Sequence, residues 1–135
     1  MQNGKGESPG SQRKGDDIAQ RLLRLAVRVG RAVDALPDTR LGRHIAGQLV
    51  RCATSPPPNY DEARAAESHD DFVHKLGVVF KELRESRVWL LMILEAELLK
   101  SQQLTDLIDE CDQLCNIVGK SRATAQANAR SKPRR

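Results

Sequence analysis

Three consecutive prolines, Pro56, Pro57 and Pro58, interrupt a helical apolar pattern, and no other feature restricts the fold of this chain as much. The residues before them place Leu41, Ile45, Leu49, Cys52 and Ala53 on one side of a helix beginning near Asp38 or Thr39. Proline lacks an N–H and its ring clashes with the carbonyl four residues earlier, so that helix is regular only to about Thr54. It must break or kink there, and the expectation is a kink, with the helix resuming near residues 60–66. Ser55 and Asn59 are placed to cap the backbone groups that the prolines set free. A kinked rod cannot stay packed along its whole length against straight neighbours. Residues 55–59 are therefore expected either to face solvent or to meet another chain, the alternative being a kink that merely lets the chain turn.

Three further segments show the same helical spacing. In the first, Ile18, Leu22, Leu25, Val29, Val33 and Leu36 recur at steps of three and four, with Asp16 or Asp17 at the start and Pro37 as the stop. The third opens with Ser68 as N-cap and Asp70 and Asp71 in the first turn, where the helix dipole favours negative charge. Phe72, Leu76, Val79, Leu83, Leu90 and Ile93 or Leu94 carry it to about Leu99. The fourth gathers Leu104, Leu107, Ile108, Cys111, Leu114, Cys115 and Val118 on one face. Gly119 is a plausible end, although residues 121–128 are alanine-rich enough to extend it. Four amphipathic helices joined by short connections give an all-α, antiparallel up-down bundle with a proline-kinked second helix. The expected organisation is a disordered N-terminal tail over 1–15, the bundle over 16–120 and a basic C-terminal tail over 121–135.

A chain of 135 residues makes one domain able to bury a core without staples. No apolar run approaches the roughly 20 residues of a membrane span. The first residues lack the apolar stretch of a secretory signal, and three cysteines make no disulfide framework, so a cytoplasmic location is expected. The net charge of +4 is unevenly spread. Residues 18–118 hold thirteen basic and fifteen acidic side chains, whereas residues 119–135 hold six basic and no acidic ones. Those six, Lys120, Arg122, Arg130, Lys132, Arg134 and Arg135, could attract nucleic-acid phosphate by counterion release or could simply solubilise the chain.

A second cationic feature lies on the first helix. Arg21, Arg24, Arg28 and Arg31 fall at steps of three, four and three and form one ridge beside the apolar stripe, with only Asp34 answering them locally. Four like charges in a row need a negative neighbour or full solvation. The candidates are acids of the fourth helix, a neighbouring subunit, or nucleic-acid phosphate, against a solvated face of little net energy.

Catalytic chemistry finds little support. His69 and His74 stand five apart, which does not align them on one helix face, and His44 lies beside the apolar stripe. Cys111 and Cys115 share a face with Leu107, Ile108 and Leu114 and are better explained as small core residues, as is Cys52. There is no phosphate-binding glycine loop and no metalloprotease motif. Lys81, Glu82, Arg84, Glu85 and Arg87 form a dense charged segment, expected to be ion pairs along one helix face. Glu62 is expected to pair with Arg51 or with an arginine of the first helix. Tyr60 and Trp89, rare aromatics here, are expected to anchor a core layer or an interface.

Gln48, Arg51, Ala53, Ser55, Pro57, Asn59 and Glu62, then Ser68, Asp71 and Phe72 opening the next helix, and Glu85 within it, together resemble the signature of a known family. This is the four-helix-bundle family first met as open reading frames in the intervening sequences of 23S ribosomal RNA genes. The chain departs from it at Lys81 and Glu82, where many members have Gly-Ser. The resemblance implies a ring of identical subunits, typically a pentamer. The chain is also distantly similar to the accessory variability determinant of diversity-generating retroelements, whose ring assists a reverse transcriptase and its RNA. Together these resemblances imply a non-enzymatic, homo-oligomeric scaffold without a cofactor. It would bind RNA or DNA, or a nucleic-acid enzyme such as a reverse transcriptase. The alternative is a structural protein–protein interaction bundle with no nucleic-acid role.

Overall fold

The computed structural model describes residues 15–131, with side chains as far as Asn128. Five helical elements follow one another: α1 (Asp16–Asp34), α2 (Arg40–Thr54), α3 (Pro56–Arg64), α4 (His69–Glu95) and α5 (Ser101–Ser131). α2 and α3 are the two halves of the interrupted second rod, so the described residues make four rods and no strand. α1 packs on α2 and α5, α2 on α4, and α4 most extensively on α5, which closes the four rods into a bundle. α3 lies mainly against α4. The core is built from Leu22, Leu25 and Val29 of α1, Ile45 and Leu49 of α2, Leu76, Val79, Leu83, Leu90 and Ile93 of α4, and Leu104, Leu114 and Val118 of α5.

The helix starts follow from local chemistry. Thr39 Oγ1 accepts from the Gly42 N–H at 3.0 Å and Ser68 Oγ accepts from the Asp71 N–H at 3.0 Å, so each N-cap satisfies a donor of the first turn. α1 has no side-chain cap. Gly15 stands at its N-cap with φ +94°, and Asp16 and Asp17 occupy the first turn, where they favour the dipole without capping.

The break comes at Ser55, but α3 resumes at Pro56 rather than near Tyr60. The three prolines fill the first turn of the new helix, where backbone N–H groups have no intrahelical partner, so their missing donors cost nothing there. Asn59 closes the joint: its Nδ2 donates to the Ser55 carbonyl and to Ser55 Oγ, both at 3.0 Å. Pro56 is buried, Pro57 half-buried and Pro58 exposed, so this joint is partly sheltered by the bundle itself.

Three other expectations shift. Leu41 is exposed at 44%, because Gly42 is the residue that the first turn of α2 turns inward. A Cβ on Gly42 would stand 2.2 Å from the Pro37 carbonyl oxygen, so only glycine lets that turn close. α4 stops at Glu95, short of Leu99. Glu97 takes φ +54°, its N–H bonds the Leu94 carbonyl and the Leu98 N–H bonds the Ile93 carbonyl, a Schellman ending that turns Leu98 and Leu99 back onto the core. α5 passes Gly119 and continues to Ser131. Ala125 is buried, and its carbonyl accepts at 2.7 Å from His69 Nε2 at the start of α4, so the helix is held by packing well beyond residue 120.

Candidate nucleic-acid and subunit interface

The arginine ridge divides into two parts. Arg21 is half-buried and is gripped by α5: Nε and one terminal nitrogen donate to the two Glu110 carboxylate oxygens at 2.9 and 2.8 Å, and that nitrogen also donates to Gln113 Oε1 at 2.9 Å. This hydrogen bonding, helped by the charges of Arg21 and Arg28, holds the Glu110 carboxyl below the ordinary carboxylate range. Arg24, Arg28 and Arg31 are exposed and make no hydrogen bond or ion pair among the described residues. Arg28 and Arg31 border a shallow groove between α1 and the start of α5, lined also by Ala32, Leu99, Gln103 and Asp106. An acid of the fourth rod therefore answers Arg21 and leaves three arginines facing outward.

The residues of the family signature gather elsewhere, on the outer side of the α2–α4 contact. Arg51 reaches both Glu82 and Glu85, and Glu85 also accepts from Trp89 Nε1 at 3.2 Å. The Trp89 bond first, then Arg51, pulls the Glu85 carboxyl down from its ordinary value. His44 meets the Trp89 ring edge-on at 5.7 Å. The Arg51 pairs are bonds between helices, not pairs along one helix face as the spacing suggests. Arg87 likewise pairs with Asp112 of α5. Glu62 pairs with Lys75 of α4 at 2.7 Å, and with neither Arg51 nor an arginine of α1, because α3 lies on α4. Phe72 packs against the core, and Gln48 of α2 is half-buried. The signature thus braces α2, α3 and α4, while Glu62, Ser68 and Asp71 border an open groove at the α3–α4 turn.

Of the basic residues late in the chain, Lys120 borders a groove with Tyr60, Phe72 and His69. Arg122 is half-buried against α4. The side chain of Arg130, and all of Lys132, Arg134 and Arg135, lie outside the described residues. Cys52, Cys111 and Cys115 are free and buried. Cys111 Sγ donates to the Leu83 carbonyl at 3.2 Å, and its bond with Cys115 together with burial pushes that thiol well up. Ser86, the one buried polar residue among those described, donates to the Glu82 carbonyl at 2.9 Å and lies 3.2 Å from Cys52 Sγ.

One grouping is not evident from the sequence pattern. His74, Lys81 and Arg84 of α4 line a groove with Arg122 of α5, over Gly77, Val78 and Phe80. The signal is present in the steps of seven and three that separate His74, Lys81 and Arg84. It is masked by Glu82 and Glu85, which the helix turns toward α2 instead.

The fold and these surfaces define an all-helical bundle whose polar features are interhelical braces and outward cationic faces. The chain belongs to the 23S rRNA-intervening sequence protein family, whose model matches residues 15–120. A crystal structure of a protein of unknown function from the S23 ribosomal protein family of Bacteroides thetaiotaomicron is similar to it. The two share 25% identity and a TM-score of 0.70 over 75% of this chain and 94% of that one. No curated protein matches.

Proposed function

We propose that this chain is a non-enzymatic, homo-oligomeric scaffold that binds RNA electrostatically. The observation that carries this reading is the outward row of Arg24, Arg28 and Arg31, three fixed charges on a rigid helix with no acid bonded to any of them among the described residues. Such a row attracts phosphate without reading bases, because backbone contacts position a nucleic acid and base contacts specify it. The +6 charge of residues 119–135 adds to the same attraction. Resemblance to rings of identical subunits supports a pentamer, which would repeat the row around an axis. Exposed apolar pairs one turn apart, Leu23 with Val27 and Val88 with Met92, offer surface for subunit contact. A nucleic-acid enzyme such as a reverse transcriptase could be held on the same particle, in a cytoplasm where the three thiols stay reduced.

The same apolar pairs favour the second reading, a protein-interaction bundle with no nucleic-acid role. Salt separates the two. Three phosphate contacts to single-stranded RNA should give a slope of about −2 in log K against log salt, whereas apolar contacts give none. The test is light scattering of the purified chain at low and high salt, with and without a mixed-sequence RNA. A pentamer-sized particle that takes up RNA only at low salt is the expected result. A monomer that ignores RNA overturns the reading. Because α5 is packed to Ala125, the late charges should be neutralised by substitution and not removed by truncation at residue 120.

A further inference from the structure

We infer that the groove between α4 and α5 formed by His74, Lys81, Arg84 and Arg122 is a binding site for the phosphates of RNA, distinct from the ridge on α1. The inference rests on the RNA-binding reading and adds the site to it. Its centre is Arg122. The guanidinium lies across Gly77, so closely that a Cβ there would come within 2.9 Å of Nε and 3.2 Å of Cζ. Nε is buried, and no acceptor bonds it among the described residues. A guanidinium whose inner N–H is buried without a partner, and whose outer end borders an open groove, is a donor set waiting for an anion.

The lining supplies positive charge and holds no acid, with Asp70 and Asp71 one turn before His74 at the edge of the groove. His74, Lys81 and Arg84 make no hydrogen bond or ion pair among the described residues, although Lys81 lies near enough to act on Glu85. The acids on either side are already engaged, Glu85 by Arg51 and Trp89, and Asp112 by Arg87. Val78 and Phe80 complete the lining. From His74 to Arg84 the helix rises about 15 Å. That span exceeds what a single phosphate needs and suits a polymer backbone. A guanidinium over Gly77, between His74 on one side and Lys81 and Arg84 on the other, matches such a backbone.

Gly77 provides a test that separates binding from folding. Gly77→Ala places a better helix former in the middle of α4 and forces the tip of Arg122 outward, so the fold is kept while the site is disturbed. Arg122→Met removes the charge and keeps most of the side chain's cover. Binding of a fluorescein-labelled mixed-sequence 12-nucleotide RNA would be followed by anisotropy at low salt for the full chain, these two variants, and a variant with Arg24, Arg28 and Arg31 changed to glutamine. Each groove variant is expected to weaken binding about tenfold, with the salt slope of Arg122→Met reduced by about 0.7. Unchanged affinity in both groove variants, with binding lost only in the ridge variant, overturns the site and leaves the RNA reading standing. If the unaltered chain binds no RNA, the Arg122 Nε–H resonance would be titrated with inorganic phosphate. A shift there supports the phosphate site while overturning the RNA reading, and no shift overturns both.

Discussion

Breaking the Arg21–Glu110 pair should destabilise the bundle, whereas neutralising Arg24, Arg28 or Arg31 should not. The two side chains are 23% and 22% exposed, and the pair is bidentate, with a third bond from Arg21 to Gln113. A fully exposed ion pair contributes about 0.2–1 kcal/mol, and a hydrogen bond to a charged group about 1.5–3 kcal/mol. With about a fifth of each side chain still wet, solvent screening brings the coupling to about 1.4 kcal/mol, a tenfold change in the folding equilibrium. The measurement is a double-mutant cycle of Arg21→Met and Glu110→Ala by urea unfolding at one protein concentration, since association would shift apparent stability. Because the folded Glu110 carboxyl is held below its unfolded value, its contribution is fully present above an unfolded pKa of about 4.3 and is lost as pH falls through the lower folded value. A coupling under about 0.3 kcal/mol at pH 7 would refute the assignment of Arg21 as a strut. Arg24→Gln, Arg28→Gln and Arg31→Gln should each stay within about 0.5 kcal/mol of the unaltered chain.

Two other outcomes are expected. Glu97→Gly should stabilise the chain by about 1 kcal/mol in the same urea assay, since Glu97 holds a left-handed conformation, φ +54°, at a helix ending where glycine has no steric cost. Trp89 is the only tryptophan, so its fluorescence should report protonation of Glu85 on acidification, with a midpoint below about 4.3. Arg51→Met should raise that midpoint, and a midpoint that does not move would show that Arg51 does not act on Glu85.

The rods are legible in the sequence because each buries one stripe at helical spacing. Ile45, Leu49, Leu76, Val79, Leu104 and Leu114 all fall on inward stripes, and all have under 2% exposure. Boundaries are less legible wherever backbone geometry outweighs composition. Prolines that read as breakers prove to be starters, because a first turn needs no donors. Glu97 ends α4 in a conformation that its side chain does not announce. Pairings between helices are the least legible. Glu62 can be assigned to Lys75 only once α3 is known to lie along α4, and Glu82 and Glu85 only once Arg51 faces them. Spacing along one helix shows which residues share a face, but it does not show which neighbour that face meets.

That distinction bears on how the surface charge is read. By sequence, every arginine of the ridge is equivalent and every acid of the fourth rod is a candidate partner. In the folded chain several acids of α4 and α5 are committed: Glu110 to Arg21, Asp112 to Arg87, Glu82 and Glu85 to Arg51. Each commitment offsets positive charge and braces two rods, and Arg24, Arg28, Arg31, Lys81 and Arg84 are left with no bonded acid among the described residues. A near-neutral body of thirteen basic and fifteen acidic residues can therefore present positive faces, because much of the neutrality is reached inside the braces and not on the surface. Net charge alone would assign phosphate attraction to the last seventeen residues. The proposed reading gives a share of it to α1 and to the α4–α5 groove, where helical backbone holds the charges at fixed spacing.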